Sequence, residues 1–192
     1  MRRETATGSD LSNKSRAASL KEFSIEYPCE ALMKGEIKFV ADAMLGRLAK
    51  WLRVLGYDTL YYRGTEAEPL LSIARREERV LLTRNTRIST EEEAPDVLLI
   101  SDDHWDAQLR QVVERFNLAE PRRAFTRCVN CNTALWPLSR EQAKERVPEH
   151  IYHVHLTFRV CPLCQRVYWQ GSHQKRMQAM IQGLYSGNGD PS

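Results

Sequence analysis

The chain of 192 residues is 42% hydrophobic and 28% charged, which is typical of a globular protein that can bury a sizeable core. No apolar run reaches the roughly 18 to 20 residues that a membrane span needs, and no secretory signal is present, so we expect a cytoplasmic protein without a membrane partner. The net charge of +3 is unevenly spread: residues 121–192 carry ten Lys and Arg against four Asp and Glu, which indicates either a polyanionic partner such as nucleic acid or a solvated basic face.

The Arg- and Ser-containing segment 1–36 is predicted to be a disordered or weakly ordered tail. After residue 42 the segment AMLGRLAKWLRVLGYD repeats leucine at spacings of three and four, which predicts an amphipathic helix with a basic row at Arg47, Lys50 and Arg53. Gly56 follows where a helix C-terminus favours a left-handed residue. The predicted strands are 37–41 (IKFVA), 58–62 (DTLYY), 80–83 (VLLT) and 97–100 (VLLI), and the other predicted helices span roughly 69–78 and the segment after 101–103.

Short apolar strands that alternate with helices predict a parallel sheet covered on both faces, because parallel strands need crossover connections. The predicted fold class is therefore α/β, a three-layer sandwich over residues 37–120. Ligands of such sheets bind at the carboxyl ends of the strands. The side chains that follow each strand are therefore the first candidates for a functional site.

Each predicted strand is followed by an oxygen-bearing side chain. We expect these side chains to gather at one edge of the sheet, where repulsion between carboxylates would require a divalent cation, Mg²⁺ or Mn²⁺. Such a cation can activate water for attack on a phosphodiester. Helix capping and surface roles stay open for the other acids, whereas Asp42 lies between an apolar strand and an apolar helix and is the strongest functional candidate. The candidates for this catalytic edge are Asp42, Glu66, Glu68, Asn85, Asp102 and Asp103.

Four cysteines form two C-x-x-C pairs, Cys128 with Cys131 and Cys161 with Cys164, separated by 29 residues. Two such pairs predict a closed, structural zinc site, and the missing secretory signal makes disulfides the weaker alternative. The segments FRV and RVYW beside the second pair predict a β-hairpin, and SREQAKERVP an insertion between the pairs. We expect a four-cysteine zinc ribbon over residues 121–180 and a flexible tail over 181–192.

Aromatic and basic residues lie beside the second cysteine pair. Stacking and phosphate contacts would make them an RNA-binding surface, although Tyr168 and Trp169 could instead pack the small core of the ribbon. The basic face of the first helix and the arginine after the third strand are further candidates for contacts with phosphate. The RNA-binding candidates are Arg47, Lys50, Arg84, Arg166, Tyr168, Trp169, His173, Lys175 and Arg176.

Five stretches carry a family resemblance: DAMLGRLAKWLRVLGYDT, LLTRN, the SDD segment with its following helix, RCVNCN and CPLCQRVYWQGSH. Over roughly residues 37–178 they resemble the Mut-C family, the C-terminal RNase domain of mutator-type exonucleases. The resemblance implies a PIN-like nuclease fold joined to a zinc ribbon, RNA as the partner, and a metal-dependent RNase with strand-end acids as ligands. Asp42 matches the Asp of the leading motif, and Glu66 or Glu68 falls in the acidic patch before the second helix. Asn85 stands where the family pattern LLTRD has Asp.

The amide at Asn85 leaves three explanations open: a natural variant in which Asp102 or Asp103 compensates, a degenerate domain, or an introduced Asp-to-Asn substitution that traps substrate. An Asn oxygen can ligate Mg²⁺ but brings no negative charge. The leading hypothesis is a metal-dependent endoribonuclease weakened or inactivated at Asn85, with the ribosome or tRNA as narrower candidate partners. The first alternative is a non-catalytic adaptor that binds RNA or the ribosome through the zinc ribbon, and the second is a protein-interaction module.

Overall fold

The alternating apolar runs form strands and helices in the computed structural model, which describes residues 37–88, 96–118 and 123–186. The predicted tail over residues 1–36 lies outside the described residues. None of the helices in the described ranges is both long and apolar enough to cross a membrane. The first part of the chain forms β1 (Phe39–Ala41), a 3₁₀ turn (Ala43–Leu45), α1 (Gly46–Val54), β2 (Thr59–Tyr61), α2 (Ala67–Arg76), β3 (Val80–Thr83), β4 (Val97–Leu99) and α3 (Trp105–Arg115).

The first four strands form one parallel sheet in the order β2-β1-β3-β4. Phe39 in β1 is paired with Val80 in β3, and Leu82 in β3 is paired with Leu98 in β4. Because β1 and β3 are central neighbours, the chain leaves the sheet after Ala41 and after Thr83 at adjacent points of the same edge. This edge, at the carboxyl ends of the strands, is called the acidic edge below.

The second part of the chain forms a smaller antiparallel sheet in the order β5-β6-β7. The predicted hairpin is formed by β6 and β7, and the predicted insertion forms two short helices, the first with a capping box between Ser139 and Gln142. Its elements are β5 (Trp136–Leu138), α4 (Arg140–Ala143), α5 (Glu149–Val154), β6 (Phe158–Val160), β7 (Val167–Trp169) and the C-terminal α6 (Ser172–Ser186).

Successive residues of the central strands face two different cores, because side chains alternate across a sheet. Phe39 and Leu82 belong to a core shared with α1, α3 and α6. Val40 and Leu81 belong to a second core shared with α2. The parallel sheet is therefore the middle of three layers, and the predicted three-layer α/β architecture is confirmed.

Three of the four strands of the parallel sheet are slightly shorter than predicted, and the main differences from the prediction are in the helices. Helix α2 begins at Ala67, two residues before the proline that was expected to start it, because N–H groups of a first turn need no helical partner. Helix α3 has His104 at its N-cap with no side-chain cap bond, so the expected Ser or Asp cap is absent. Helix α6 continues to Ser186 and buries Ile181 and Leu184 in the large core, so the flexible tail predicted from residue 181 is wrong for residues 181–186.

Gly56 ends α1 as predicted, in a left-handed conformation with φ +97°. A Cβ atom at this position would lie 2.5 Å from the carbonyl oxygen of Arg123. Both the backbone conformation and the close approach therefore require glycine. This contact places the start of the cysteine-containing part of the chain directly against the end of α1.

Candidate functional site

Asp42 follows β1 and is the most firmly held carboxylate of the acidic edge. The residue is 7% exposed. Its Oδ1 accepts a hydrogen bond from the backbone N–H of Met44 (2.8 Å), and its Oδ2 accepts from the Thr83 hydroxyl (2.6 Å) and the N–H of Arg84 (2.8 Å). The first bond caps the 3₁₀ turn, and the other two tie β1 to the end of β3. These bonds satisfy a buried charge and fix the direction in which the carboxylate points.

Arg84 joins the end of β3 to the loop after β4. Its N–H bonds Asp42, and its guanidinium pairs with the carboxylate of Asp103. Because the Asp103 side chain is 78% exposed, the pair contributes at most about 1 kcal/mol to stability. Asp103 nevertheless neutralises the positive charge of Arg84. This arginine is therefore less available to phosphate than the sequence predicted.

Asn85 is exposed and forms a turn. Its side-chain Oδ1 accepts a hydrogen bond from the N–H of Arg87 (3.0 Å), and its own N–H donates to the Thr83 hydroxyl (3.0 Å). An aspartate could accept the same bond from Arg87, so the turn does not require an amide. The Thr83 hydroxyl bonds both Asn85 and Asp42, which links the two candidate positions.

The other predicted acids are held separately. Asp102 Oδ1 accepts from the N–H of His104 (2.8 Å), Glu66 is the N-cap of α2 without a side-chain bond, and Glu68 lies 3.9 Å from Arg75. A cluster of metal ligands brings at least three side chains close together. Among the described residues, the side chains of one group of His, Cys, Asp or Glu meet this condition, with all ligand atoms within 4.8 Å of one another, and this group consists of cysteines. The predicted gathering of carboxylates is therefore absent from the described residues.

The acidic edge offers few ligands to a divalent cation, so a cation there would be weakly held. Mg²⁺ is usually bound by one or two carboxylates, with waters completing its octahedral shell. Oδ2 of Asp42 already accepts two hydrogen bonds, whereas Oδ1 accepts one and keeps a further acceptor position. The Asn85 oxygen also accepts one bond and keeps a position. Asp42 and Asn85 can therefore each offer one oxygen to a cation.

The cysteine group consists of Cys128, Cys131, Cys161 and Cys164, the four residues that the sequence predicted as zinc ligands. Their Sγ atoms all lie within 4.8 Å of one another, and those of Cys128 and Cys164 are 3.7 Å apart. Four tetrahedral Zn–S bonds of about 2.3 Å separate the sulfurs by about 3.8 Å, so the group fits zinc. The same separation is far longer than the roughly 2.05 Å of a disulfide bond.

The Tyr168 hydroxyl lies 3.1 Å from Sγ of Cys128. Burial raises the pKa of the Cys128 thiol, but hydrogen bonds from Tyr168 and from the N–H groups of Cys131 and Asn130 outweigh it and lower that pKa to about 7. Burial and the neighbouring Cys164 thiol raise the pKa of Cys131 to about 12. Tyr168 therefore supports a thiolate in the cluster, which favours the ribbon-packing interpretation of its ring.

Arg53 connects the cysteine cluster to the parallel sheet. It is buried, and its Nε donates to the carbonyl of Thr59 (2.8 Å). Its Nη1 donates to the carbonyls of Val129 (2.9 Å) and Asn130 (3.0 Å), which lie between the first two cysteines. Burial lowers the pKa of Arg53, and Cys128 opposes that shift. The sequence placed Arg53 on the exposed basic row of α1, and nothing in its pattern indicated this role.

Asp58 forms a second connection at the amino ends of the strands. Its Oδ1 accepts from Nη1 of Arg79 (2.6 Å) and from Nδ2 of Asn132 (2.8 Å), and Asn132 Oδ1 accepts from the N–H of Thr59 (3.0 Å). Burial alone would raise the pKa of Asp58, but the bonds from Arg79 and Asn132 hold it below its usual value. The first cysteine turn is therefore fixed to the edge of the sheet opposite Asp42.

The predicted RNA-binding residues fall into two groups. Arg84 lies at the acidic edge, and Arg166 and Lys175 are exposed elsewhere. The remaining six line one groove of about 1450 Å³ between α1, the small sheet and α6. These six are Arg47, Lys50, Tyr168, Trp169, His173 and Arg176.

Sequence reasoning missed three arginines that line the same groove: Arg127, Arg140 and Arg159. They come from the strand-like segment before the first cysteine pair, from α4 and from β6, and no short motif contains them. Their only signal in the sequence was the positive charge of residues 121–192.

Comparisons with known proteins identify the family of the chain. Residues 37–181 match the family described as the Mut7-C RNAse domain. No curated protein and no solved structure matches the chain. The family match covers both sheets, and it confirms the family resemblance inferred from the sequence. The chain therefore belongs to the Mut7-C RNAse domain family.

Proposed function

We propose that the protein is a ribonuclease that hydrolyses phosphodiester bonds in RNA with the help of Mg²⁺ or Mn²⁺ at the acidic edge. The observation that carries the proposal is Asp42, a buried carboxylate held by three hydrogen bonds at the carboxyl end of a central strand in a chain of an RNAse family. Ligands of parallel α/β sheets bind at this end of the strands. A buried carboxylate that is this firmly oriented supports a functional role.

In this proposal Oδ1 of Asp42 and the side-chain oxygen of Asn85 would hold the cation, with Glu66 or Glu68 as the source of a second carboxylate. When bound there, such a cation would lower the pKa of a water molecule and stabilise the leaving oxygen. Thr83 keeps Asp42 in place through its hydroxyl bond. Asp102, which is exposed after β4, would add negative charge near the site, whereas Asp103 is paired with Arg84.

Asn85 limits the strength of this site. The amide carries no negative charge and cannot accept a proton as a general base. Removing one unit charge from a cation site at a separation of about 4 Å costs at least about 1 kcal/mol in water-like surroundings. We therefore expect weak binding of the cation and slow cleavage.

A non-catalytic RNA-binding adaptor is the second candidate function. Two observations favour it: the described carboxylates of the acidic edge do not form a cluster, and the position of Asn85 carries no charge. In this alternative the domain keeps its RNA-binding surface and has lost its chemistry. The two functions predict different responses to restoring the carboxylate.

The first test is cleavage of single-stranded RNA in Mn²⁺ or Mg²⁺ by the chain and by its Asn85→Asp variant. We expect slow cleavage by the chain and cleavage about tenfold faster by the variant, because about 1.4 kcal/mol of additional cation binding corresponds to a factor of ten. Asp42→Ala should abolish cleavage. Glu114→Gln, which removes an exposed carboxylate from α3, is the matched control and should cleave like the unchanged chain.

Thermal unfolding of each variant distinguishes a lost catalytic group from a lost fold. If neither the chain nor the Asn85→Asp variant cleaves RNA while both bind it, the nuclease proposal fails and the adaptor stands. The Asn85→Asp arm keeps the test informative even if Asp42→Ala does not fold.

A further inference from the structure

We propose that the groove between α1, the small sheet and α6 is a binding path for a single strand of RNA that leads to the acidic edge. This inference rests on RNA being the substrate of the proposed function. It goes further by naming the strand's path, its single-stranded state and the side chains that hold it. The groove combines unpaired positive charge with aromatic side chains, and one of its lining residues, Arg47, comes five residues after Asp42.

The charge of the groove has one sign. Among the described residues that line it there are six arginines and lysines and no Asp or Glu. Five of these cations have no carboxylate partner in the described ranges, whereas Arg127 lies 3.7 Å from Asp58. The five are Arg47, Lys50, Arg140, Arg159 and Arg176.

Four arginines near the parallel sheet differ from these five. Arg75, Arg76, Arg79 and Arg84 each pair with an Asp or Glu side chain. Apart from Arg127, the cations of the groove therefore lack the carboxylate partners that these four arginines have. A groove lined by such cations attracts a polyanion. The cations also repel one another, and a bound phosphate backbone would reduce this repulsion.

Aromatic side chains alternate with these cations. At the α1 end, the rings of Trp51 and Trp105 are stacked with centroids 4.7 Å apart, and the Arg47 guanidinium lies 4.7 Å over Trp105. At the β7 end, Trp169 lines the groove, together with Tyr168, whose hydroxyl contacts Cys128. Aromatic rings beside cations stack unpaired bases, whose faces are covered in a duplex. This pattern favours a single strand over a double helix.

One end of the groove lies on α1, the helix that follows the acidic edge in the chain. Its lining residues on α1 are Arg47, Lys50, Trp51 and Val54, which share one face of the helix. Arg47 comes five residues after Asp42, and Val54 lies about 10 Å further along the helix axis, since each residue rises about 1.5 Å. A strand bound along α1 would therefore extend from the first cysteine turn toward Asp42.

The test is binding of a short fluorescent single-stranded RNA, followed by anisotropy over a range of salt concentrations. The groove variant replaces Lys50, Arg159 and Arg176 with Gln. The control variant replaces Lys38, Arg110 and Lys144 with Gln as well. These three residues are exposed outside the groove, so the control removes the same net charge elsewhere.

We expect the groove variant to raise the Kd of the single strand by about tenfold to a hundredfold at low salt. A plot of the logarithm of the association constant against the logarithm of the salt concentration has a negative slope. That slope should become shallower by about 2 in the groove variant, because each of the three lost phosphate contacts contributes about 0.7. The control variant should change neither quantity appreciably, and the complementary duplex should bind more weakly than the single strand.

The proposal is overturned if the groove variant binds like the unchanged chain, or if the control variant loses as much affinity as the groove variant. Tight binding of the duplex in preference to the single strand would also contradict it. Unchanged RNA binding by the groove variant together with loss of cleavage in Asp42→Ala would refute the groove and leave the nuclease. Absence of cleavage in every chain together with weakened binding by the groove variant would refute the nuclease and leave the groove.

Tryptophan fluorescence provides a second readout. Trp51, Trp105 and Trp169 line the groove, whereas Trp136 does not. Saturating single-stranded RNA should quench the fluorescence of the chain, and Trp136→Phe should leave the size of the quench unchanged. A quench that disappears in Trp136→Phe would place the RNA elsewhere and contradict the proposal.

Discussion

The cysteine cluster and the acidic edge differ in how their side chains are held. In the cluster, the N–H groups of Cys131 and Cys164 point to the sulfurs of Cys128 and Cys161, so each tight turn presents its own pair of ligands. At the acidic edge, the candidates come from separate strand ends. Ligands supplied by local turns are positioned by the nearby backbone, whereas ligands from separate strands depend on every side-chain partner around them.

The second difference is which protein groups bond the carboxylates of the acidic edge and which contact the sulfurs of the cysteine cluster. The carboxylates of Asp42 and Asp103 already have hydrogen bonds or an ion pair within the protein. The four sulfurs mainly contact one another and the backbone around them. We therefore expect the stability of the cysteine cluster to depend on a bound cation more than that of the acidic edge does.

The largest expected effect is loss of the proposed zinc. Structural zinc contributes about 10 to 16 kcal/mol of binding free energy in small zinc-finger peptides, so Cys161→Ser with Cys164→Ser should unfold the small sheet. Circular dichroism and zinc analysis, with and without a chelator, would measure this. Cys29→Ser removes a cysteine outside the cluster and serves as the control. A chain that binds no zinc and melts at the same temperature with chelator would contradict the zinc assignment.

A smaller effect is expected at the connection between the cysteine turn and the sheet. Asp58→Asn removes a charged partner of Arg79 and should lower the free energy of unfolding by about 2 to 4 kcal/mol at neutral pH. The folded pKa of Asp58 is lowered, so its contribution is present above the unfolded pKa and is lost as pH falls through the folded pKa. The difference between the two chains should therefore shrink in acid, as urea unfolding at neutral and acidic pH would show.

The matched control for Asp58 is Asp96→Asn, because Asp96 is an exposed carboxylate just before β4. Its substitution should change the free energy of unfolding by less than about 0.5 kcal/mol at either pH. Equal effects of the two substitutions would mean that Asp58 does not stabilise the connection through its bonds to Arg79 and Asn132.

The smallest effect is expected at the acidic edge. Thr83→Val removes the hydroxyl that donates to Asp42 and accepts from Asn85, and should cost about 1 to 2 kcal/mol of stability. Thr65→Val, at an exposed loop position, should cost less than about 0.5 kcal/mol. Urea unfolding of both variants would test whether the edge is held by its own hydrogen bonds. An unchanged free energy of unfolding in Thr83→Val would show that these hydrogen bonds do not hold the acidic edge.

Local patterns predicted much of this molecule. The strand at Val80–Thr83 has its predicted bounds, and the four cysteines are together as their spacing required. The extension of α6 could also have been read from the sequence, because Met177, Ile181 and Leu184 recur at helical spacing. Apolar periodicity and paired cysteines are signals within short segments, and the structure preserves them.

Other features could not be predicted, because they depend on residues that meet only in the folded chain. The burial of Arg53 requires the carbonyls of Val129 and Asn130, which lie 76 and 77 residues away in the sequence. The pairing of Arg84 with Asp103 removed one carboxylate from the expected cluster. The sequence identified acids after strands but contained no signal for which partner each acid would choose.

The position of α6 has a consequence for how the protein is made. Ile181 and Leu184 complete the same core as Phe39 and Leu48, although they are among the last described residues of the chain. During translation, which adds about 5 to 20 residues per second, the part of this core that Ile181 and Leu184 cover stays open until α6 emerges. Contacts between segments so far apart in sequence also form slowly. The newborn chain therefore carries an exposed apolar surface for several seconds, a period in which chaperones would be expected to bind it.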